Sequence, residues 1–256
     1  MAQLQIEQVP VLSDNYVYLV HEPQAGVTAV VDPAVAAPVL DQLGARGWQL
    51  DWILSTHHHA DHTGGNLELK QATGCQIAGP KADAARIPGI DLGLAEGDRF
   101  RLGDAEAEVF ETPGHTSGHI SYWFAEAGAL FCADTLFSLG CGRLFEGTPE
   151  QMWRSLSKFA PLPDDATVYC AHEYTQSNAR FALSVDPDNP TLQARAAEVE
   201  RLRAAGRPTV PSTLGAERAA NPFLRPGDPA IRRRLGLEDA DDVAVFAELR
   251  KRKDHF

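Results

Sequence analysis

Thr56-His57-His58-His59-Ala60-Asp61-His62 places four histidines and an aspartate within six positions. Such density suits neither an apolar core nor an ordinary solvated surface. It suits a transition-metal site, because neutral imidazole and carboxylate are the donors that zinc, iron and manganese accept. Before it runs Trp52-Ile53-Leu54-Ser55, a short apolar β-type stretch, and after it come Gly64-Gly65-Asn66 and a helical pattern. A strand ending in a ligand-bearing loop and then a helix is the usual setting of a site in an α/β fold. A tag-like histidine tract would sit at a terminus and lack the interposed Asp. His57 and His59, two apart, can point the same way from an extended loop. Asp61 and His62 start the next turn and can face a neighbouring position, while His58 is left over, behind the site or facing solvent.

At 256 residues and 44% hydrophobic content, the chain can build one substantial core, or a core with a small appended domain. The net charge of −12 argues against nucleic-acid or membrane-surface binding. No run approaches the roughly 18 apolar residues of a membrane span, and the first residues carry no basic leader region. Cys75, Cys132, Cys141 and Cys170 are scattered without metal-type or disulfide-framework spacing. A reduced, cytoplasmic protein is therefore expected.

The first third alternates and turns like antiparallel strands: 5–12, 16–20 after Ser13-Asp14-Asn15, and 28–31, which stops at Asp32-Pro33. Asp32 either orients the histidine loop by hydrogen bonding or is only a turn residue. Val35, Val39, Leu40 and Leu43 then share a helical face that Gly44 and Gly47 end. Leu67, Leu69 and Ala72 suggest a helix, 77–79 a short strand and 81–87 another helix. Gly103-Asp104 signals a hairpin between 100–102 and 105–110. Strands over 120–124, 129–133 and 167–171 follow, with a helix opened by Pro149 between the last two.

Four of these strand-like runs end in a metal-competent position: the 57–62 cluster, His115, Asp134 and His172. A single such ending is more often a turn residue than a ligand; four at one edge of a layered sheet point to one centre. His21 and His119 lie inside or beside strand patterns and read as structural. From about residue 174 the pattern is helical (175–185, 191–204, 229–235 and a last helix from about Asp239), interrupted by a Pro-rich passage at 208–226. A sheet domain at 1–173 and an α-helical domain at 174–256 are expected.

His57-x-His59-x-Asp61-His62 with His115, Asp134 and His172 resembles the metallo-β-lactamase superfamily. That resemblance implies a four-layer αββα sandwich, of α/β (α+β) class, with one or two metals at one edge. Cys141-Gly142-Arg143, His172-Glu173-Tyr174-Thr175, 208–213, Asn221-Pro222-Phe223 and Lys253-Asp254-x-Phe256 narrow it: the chain resembles the glyoxalase II (hydroxyacylglutathione hydrolase) family over nearly its full length. The resemblance implies that His57, His59 and His115 hold one metal, that Asp61, His62 and His172 hold a second, and that Asp134 bridges them. It implies two divalent ions, zinc first, with iron or manganese as alternatives. It places glutathione contacts on Arg143, Tyr174, Arg250 and Lys253. Arg143 stands where many relatives have Lys, and Phe145 where they often have Tyr, so a hydroxyl contact to the peptide is missing and affinity rather than chemistry is expected to differ.

The activity so implied is hydrolysis of an S-(2-hydroxyacyl)glutathione thioester, S-D-lactoylglutathione above all. A water acidified between two metals serves as nucleophile, so no Ser or Cys nucleophile is needed. Asp61 and Asp134 carry the catalytic roles, chiefly as ligands. In the run Arg250-Lys251-Arg252-Lys253, the first and last share a helical face and are read as substrate contacts, whereas Lys251 and Arg252 are read as solvated. A monomer is expected. Rival readings are weaker. A persulfide dioxygenase has the same fold with a single iron, a nuclease needs a broad basic surface that this acidic chain lacks, and an inert relative is expected to have lost ligands.

Overall fold

The structure is a computed structural model and describes residues 4–256. Strands β1 (Gln5–Val11), β2 (Asn15–Glu22) and β3 (Val27–Val31) form an antiparallel meander. Every residue of β2 is buried, with Tyr16, Tyr18 and Val20 in one core and Val17 and Leu19 in another. That is the two-residue period of a strand covered on both faces.

After β3 the connections become parallel crossovers. Helix α1 (Ala37–Arg46) leads to β4 (Trp52–Leu54), and the short α2 (Ala60–Thr63) with α3 (Asn66–Thr73) leads to β5 (Gln76–Pro80). A 3-10 turn, Lys81–Arg86, leads to β6 (Leu92–Leu94), so that β3, β4, β5 and β6 pair in parallel. Val39, Leu43 and Leu69 on the helices close the outer face over Val17, Leu19, Val30, Ile53 and Ile77. Gly44 lies inside α1, and it is Gly47, at φ +67°, that caps the helix. The helix expected at 81–87 is the tighter 3-10 turn, and β6 had no clear signal, being three residues with a glycine at the centre.

The second sheet begins with β7 (Arg99–Leu102) and β8 (Ala105–Glu111), joined by the Gly103-Asp104 turn. It continues through β9 (Ile120–Phe124) and β10 (Ala129–Phe131). A small hairpin, β11 (Leu136–Phe137) with β12 (Gly140–Cys141), and helix α4 (Pro149–Ser157) precede β13 (Thr167–Tyr169), which pairs parallel to β10. Helix α4 carries Pro149 in its first turn and a reciprocal Thr148–Gln151 capping box. Tyr18, Val31, Leu54 and Ala78 of the first sheet share the central core with Val109, Tyr122, Phe124 and Phe131 of the second.

The remaining elements are α5 (Thr175–Val185), α6 (Pro190–Ala204), β14 (Ser212–Thr213), α7 (Leu214–Ala220), α8 (Pro229–Leu235) and α9 (Asp242–Asp254). The last helix starts behind the Asp241 cap, three residues later than Asp239, and α7 arises within the Pro-rich passage where no helix was expected. The Pro-rich passage within the expected α-helical domain also supplies β14, which pairs antiparallel with β13 at the sheet edge. Phe181, Phe223 and Phe246 belong to the same core as the second sheet, and Trp153 of α4 meets Phe246 of α9 with ring centroids 6.1 Å apart. The architecture is thus the αββα sandwich with helices built onto its second sheet. Among the described residues, no helix is long and apolar enough to cross a membrane.

Candidate metal centre

Strands β3, β4, β8, β10 and β13 all run toward one edge, and the loops that leave their C-terminal ends carry Asp32, the 57–62 cluster, His115, Asp134 and His172. The turn before Asp134 is tight: Thr135 N–H donates to Cys132 O, and Ala133 adopts φ +38°. A left-handed conformation costs an L-residue roughly 1–2 kcal/mol. Gly142 closes the excursion, since a Cβ there would lie 1.9 Å from Asp134 O.

One group of donors is made by His57 Nε2, His59 Nδ1 and His115 Nε2. His59 Nδ1 lies 3.2 Å from His57 Nε2 and 3.0 Å from His115 Nε2. Three imidazole lone pairs converging this closely describe ligands of one ion, since ligands ~2.0–2.1 Å from zinc at tetrahedral angles stand about 3.3 Å apart. Asp134 Oδ2 adds a fourth donor, 3.2 Å from His115 Nε2.

The second group is Asp61, His62 and His172. His62 Nε2 lies 3.6 Å from Asp61 Oδ2 and 3.5 Å from Asp134 Oδ1, and His172 Nε2 lies 3.6 Å and 3.4 Å from the same two atoms. Asp134 therefore turns one oxygen to each group. His62 Nε2 and Asp134 Oδ1 are buried with no hydrogen-bond partner. A buried imidazole nitrogen and carboxylate oxygen left unpaired are costly, and a cation between them removes that cost. The donor set of imidazole and carboxylate suits zinc, iron or manganese.

The outward ring nitrogens fix which nitrogen faces inward. His62 Nδ1 donates to Asp32 Oδ2 (3.0 Å), and His172 Nδ1 donates to Asp14 Oδ1 (2.9 Å). His115 Nδ1 donates to the carbonyl of Arg143 (2.8 Å). Thr56 gives its hydroxyl proton to Asp32 Oδ2 (2.7 Å), so it accepts from His57 Nδ1 at 3.0 Å. Asp32 also takes Thr56 N–H at 2.7 Å. It thus orients His57 through Thr56 and His62 directly, which settles the choice between an orienting and a turn role in favour of the first. Both of its oxygens are engaged, so the proximity of Asp32, His57 and His62 reflects orientation and not a third ion site. Asp14 and Asn15, expected only to turn the chain, also serve here: Asn15 Nδ2 donates to Asp61 Oδ2 at 3.2 Å. His119 is buried against the site, stacked on His57 at 4.9 Å, with Nδ1 held by Thr112 and Thr135.

The two groups differ electrostatically. Burial and the neighbouring histidines push His57 well below the usual imidazole range, and burial lowers His59 and His115. In the second group, burial opposes the charged form of His62, but Asp134, Asp32 and Asp61 outweigh it and raise its pKa to about 9. The same contest, won by Asp134 and Asp14, raises His172. Burial would raise Asp134, yet His62, His172 and His115 hold it far below the carboxylate range. Protons are therefore disfavoured on the first group, whereas in the second His62 holds one at neutral pH that an incoming cation must displace.

A cavity of about 500 Å³ opens over the centre, lined by both ligand groups and by Phe137, Cys141, Tyr174, Ser177 and residues of α9. A groove of similar volume, about 490 Å³, lies between α6 and α7 and shares no lining residue with the centre. The chemistry, not the volume, makes the former the candidate site. Phe145 is exposed and turns its ring toward His59 and His115, with centroids 5.7 and 5.2 Å away. Tyr174 stacks flat on His172 at 4.6 Å. Lys253 Nζ donates to Ser177 O (3.2 Å) and Oγ (3.0 Å). Arg143 is exposed at the rim, 3.9 Å from Asp254.

Arg250 lines the same cavity, tied down by its neighbours. Its buried guanidinium donates to Cys141 O at 2.9 Å, pairs with Asp254 at 2.8 Å and lies over Phe223. Lys251 and Arg252 lean on Glu248, away from the cavity.

Residues 11–172 match the metallo-β-lactamase superfamily and residues 173–256 match the hydroxyacylglutathione hydrolase C-terminus. The chain is 61% identical to a hydroxyacylglutathione hydrolase of Methylococcus capsulatus over 99% of both chains, and 58% identical to one of Rhodospirillum rubrum over the full length of both. Among solved structures, ETHE1 from Myxococcus xanthus superposes with a TM-score of 0.69 at 22% identity, over 96% of this chain and 90% of that one. The B3 metallo-β-lactamase BLEG-1 gives 0.66 at 22% identity, over 86% of this chain and all of that one. These two likenesses show the fold.

Proposed function

The chain belongs to the hydroxyacylglutathione hydrolase family of the metallo-β-lactamase superfamily, and we propose that its cavity binds an S-(2-hydroxyacyl)glutathione, S-D-lactoylglutathione foremost. The products are glutathione and a 2-hydroxy acid, D-lactate for that substrate, as in methylglyoxal detoxification. The observation that carries this reading is the pairing of two convergent donor groups with a cationic, aromatic-lined cavity on one sheet edge.

His57, His59 and His115 would hold one divalent ion, and Asp61, His62 and His172 the other, with Asp134 shared; zinc is proposed first, iron or manganese next. Such ions supply Lewis acidity for the thioester carbonyl and lower the pKa of water toward about 7. Asp61, half-exposed beside His62 and His172, stands where it can hold a proton from the attacking water. The leaving thiolate has a solution pKa near 8.5 and departs without a dedicated general acid. Phe145 and Tyr174 wall the centre on two sides and limit water around the reacting carbonyl. Four free, buried cysteines support a reduced, cytoplasmic setting, and a monomer is proposed.

Lys253 is the proposed anchor for a glutathione carboxylate. Two acceptors on Ser177 leave one of its three N–H groups for substrate. Burial, Arg250 and Arg143 lower its pKa to about 8. Its cation is present below that pH and lost above it, so its contribution to binding fades as pH rises through about 8 and is not restored at higher pH. A charge-assisted contact is worth about 1.5–3 kcal/mol, less where solvent reaches it. Lys253→Ala should therefore raise KM for S-lactoylglutathione roughly tenfold with kcat changing less. Lys251→Ala removes the same charge from another face and should leave KM unchanged. Equal KM values in both variants would place the glutathione site elsewhere.

A further inference from the structure

His58, the histidine left over from the ligand cluster, opens a charged clasp behind the cavity rim. Its Nδ1 donates to Asp83 Oδ2 at 2.9 Å, and its Nε2 accepts from Arg86 Nη1 at 3.2 Å. Arg86 reaches Asp83 Oδ1 through Nε (3.0 Å) and grips both oxygens of Glu146, at 2.5 and 3.0 Å. Glu146 Oε2 also takes Ser117 N–H (2.7 Å) and Ser117 Oγ–H (2.8 Å). Four segments meet here: the histidine loop, the 3-10 turn, the loop after β8 and residues 143–147.

The last of these carries Arg143 and Phe145 on either side of the cavity mouth. It touches the loop after β8 through Phe145 N–H to His115 O at 3.3 Å and Gly147 N–H to Gly114 O at 3.1 Å. Together with the bond from His115 Nδ1 to the Arg143 carbonyl at 2.8 Å, these contacts hold the segment by its backbone. The two-oxygen grip of Arg86 on Glu146 is the planar, fork-shaped pairing that sets position as well as energy.

We infer that Arg86 and Glu146 are positioning residues, which hold Arg143 and Phe145 where they meet the glutathione part of the substrate. The inference rests on the function proposed above. The clasp makes no bond to a ligand-binding nitrogen, and the His115 Nδ1 bond to Arg143 O is held by backbone, so loss of the clasp is expected to weigh on peptide recognition more than on metal loading. Both residues are partly exposed, with side-chain accessibilities of 38% and 29%, so Ala variants at either are compatible with folding.

The test uses the metal-loaded enzyme and the variants Arg86→Ala, Glu146→Ala and the double variant. Amide hydrogen exchange over residues 143–147 should speed up at least tenfold in each variant. KM for S-lactoylglutathione should rise about three- to tenfold, with kcat within twofold and the metal content unchanged. KM for a small acyl thioester without the glutathione peptide should not move. The double variant should match the singles, because both remove one clasp. Unchanged exchange, additive effects, or an equal rise in KM for the small thioester would overturn the inference. A wild type that exchanges slowly at 143–147 but leaves S-lactoylglutathione intact would overturn the proposed substrate, while the exchange of the variants still decides the clasp.

Discussion

Asp134→Ala is expected to hold at most one metal ion per chain and to lose more than 100-fold in kcat/KM. Asp134 gives one oxygen to each donor group and, among the described residues, is the only carboxylate that faces both. Residues that merely orient a ligand typically cost 10–100-fold in metal affinity or activity when removed, so a shared ligand should cost more. The substitution also removes the main charge that sustains the second group, leaving His62 and His172 close together with less to balance their protons. His58→Ala provides the comparison. It should keep both ions and lose less than about tenfold, through the rim clasp alone. Metal analysis and steady-state kinetics on the two variants check this. Equal losses would show that the ligand set is wrong.

The second large effect is expected at Asp32, which lies outside the ligand set. Asp32→Asn keeps a side chain suited to the observed φ of +49°. It replaces one carboxylate oxygen by an amide nitrogen: at the Oδ1 position Thr56 N–H loses its acceptor, and at the Oδ2 position Thr56 Oγ–H and His62 Nδ1–H both do. Where the nitrogen faces His62, the ring moves its proton to Nε2 and cannot bind a cation. Metal affinity should fall 10–100-fold with little change in Tm. Asp32→Ala should lose the same affinity and also stability, because the buried Thr56 N–H is left unpaired at a cost of about 1–3 kcal/mol. Competition with a chromophoric chelator and a thermal melt separate the two. Wild-type affinity in Asp32→Asn would refute the orienting role.

Much of the centre was legible in the chain because its ligands follow short apolar strands. A run such as 129–133 announces itself by β-type residues, and the Asp134 that follows it has no apolar role there. Orienting partners carry no such signal. Asp14 and Asn15 look like any turn between strands, and only the closed sheet brings Asp14 to within 2.9 Å of His172. Glu146 and Arg86 are sixty positions apart in sequence, so no local pattern links them. Helical spacing placed Arg250 and Lys253 on one face but was silent on depth. The cover of Phe223 and the carbonyl of Cys141 hold the first as a buried part of the cavity lining, whereas the second is half-buried. Short elements were missed for the same reason: β6 and β14 are strands only because a neighbouring strand offers them a ladder.

Two unlike cation sites are proposed to share Asp134 and to cleave the thioester together. Zinc added stepwise to metal-free protein, with bound metal and S-lactoylglutathione hydrolysis followed at pH 6, 7.5 and 9, tests this most directly. Two ions should bind per chain. The tighter affinity should change less over this range, since burial lowers the pKa of His57, His59 and His115. The weaker should improve by up to about tenfold per pH unit below pH 9, as His62 gives up the proton that the ion must displace. Hydrolysis should track the second ion. Full activity with one ion, or two affinities with the same pH dependence, would contradict the account.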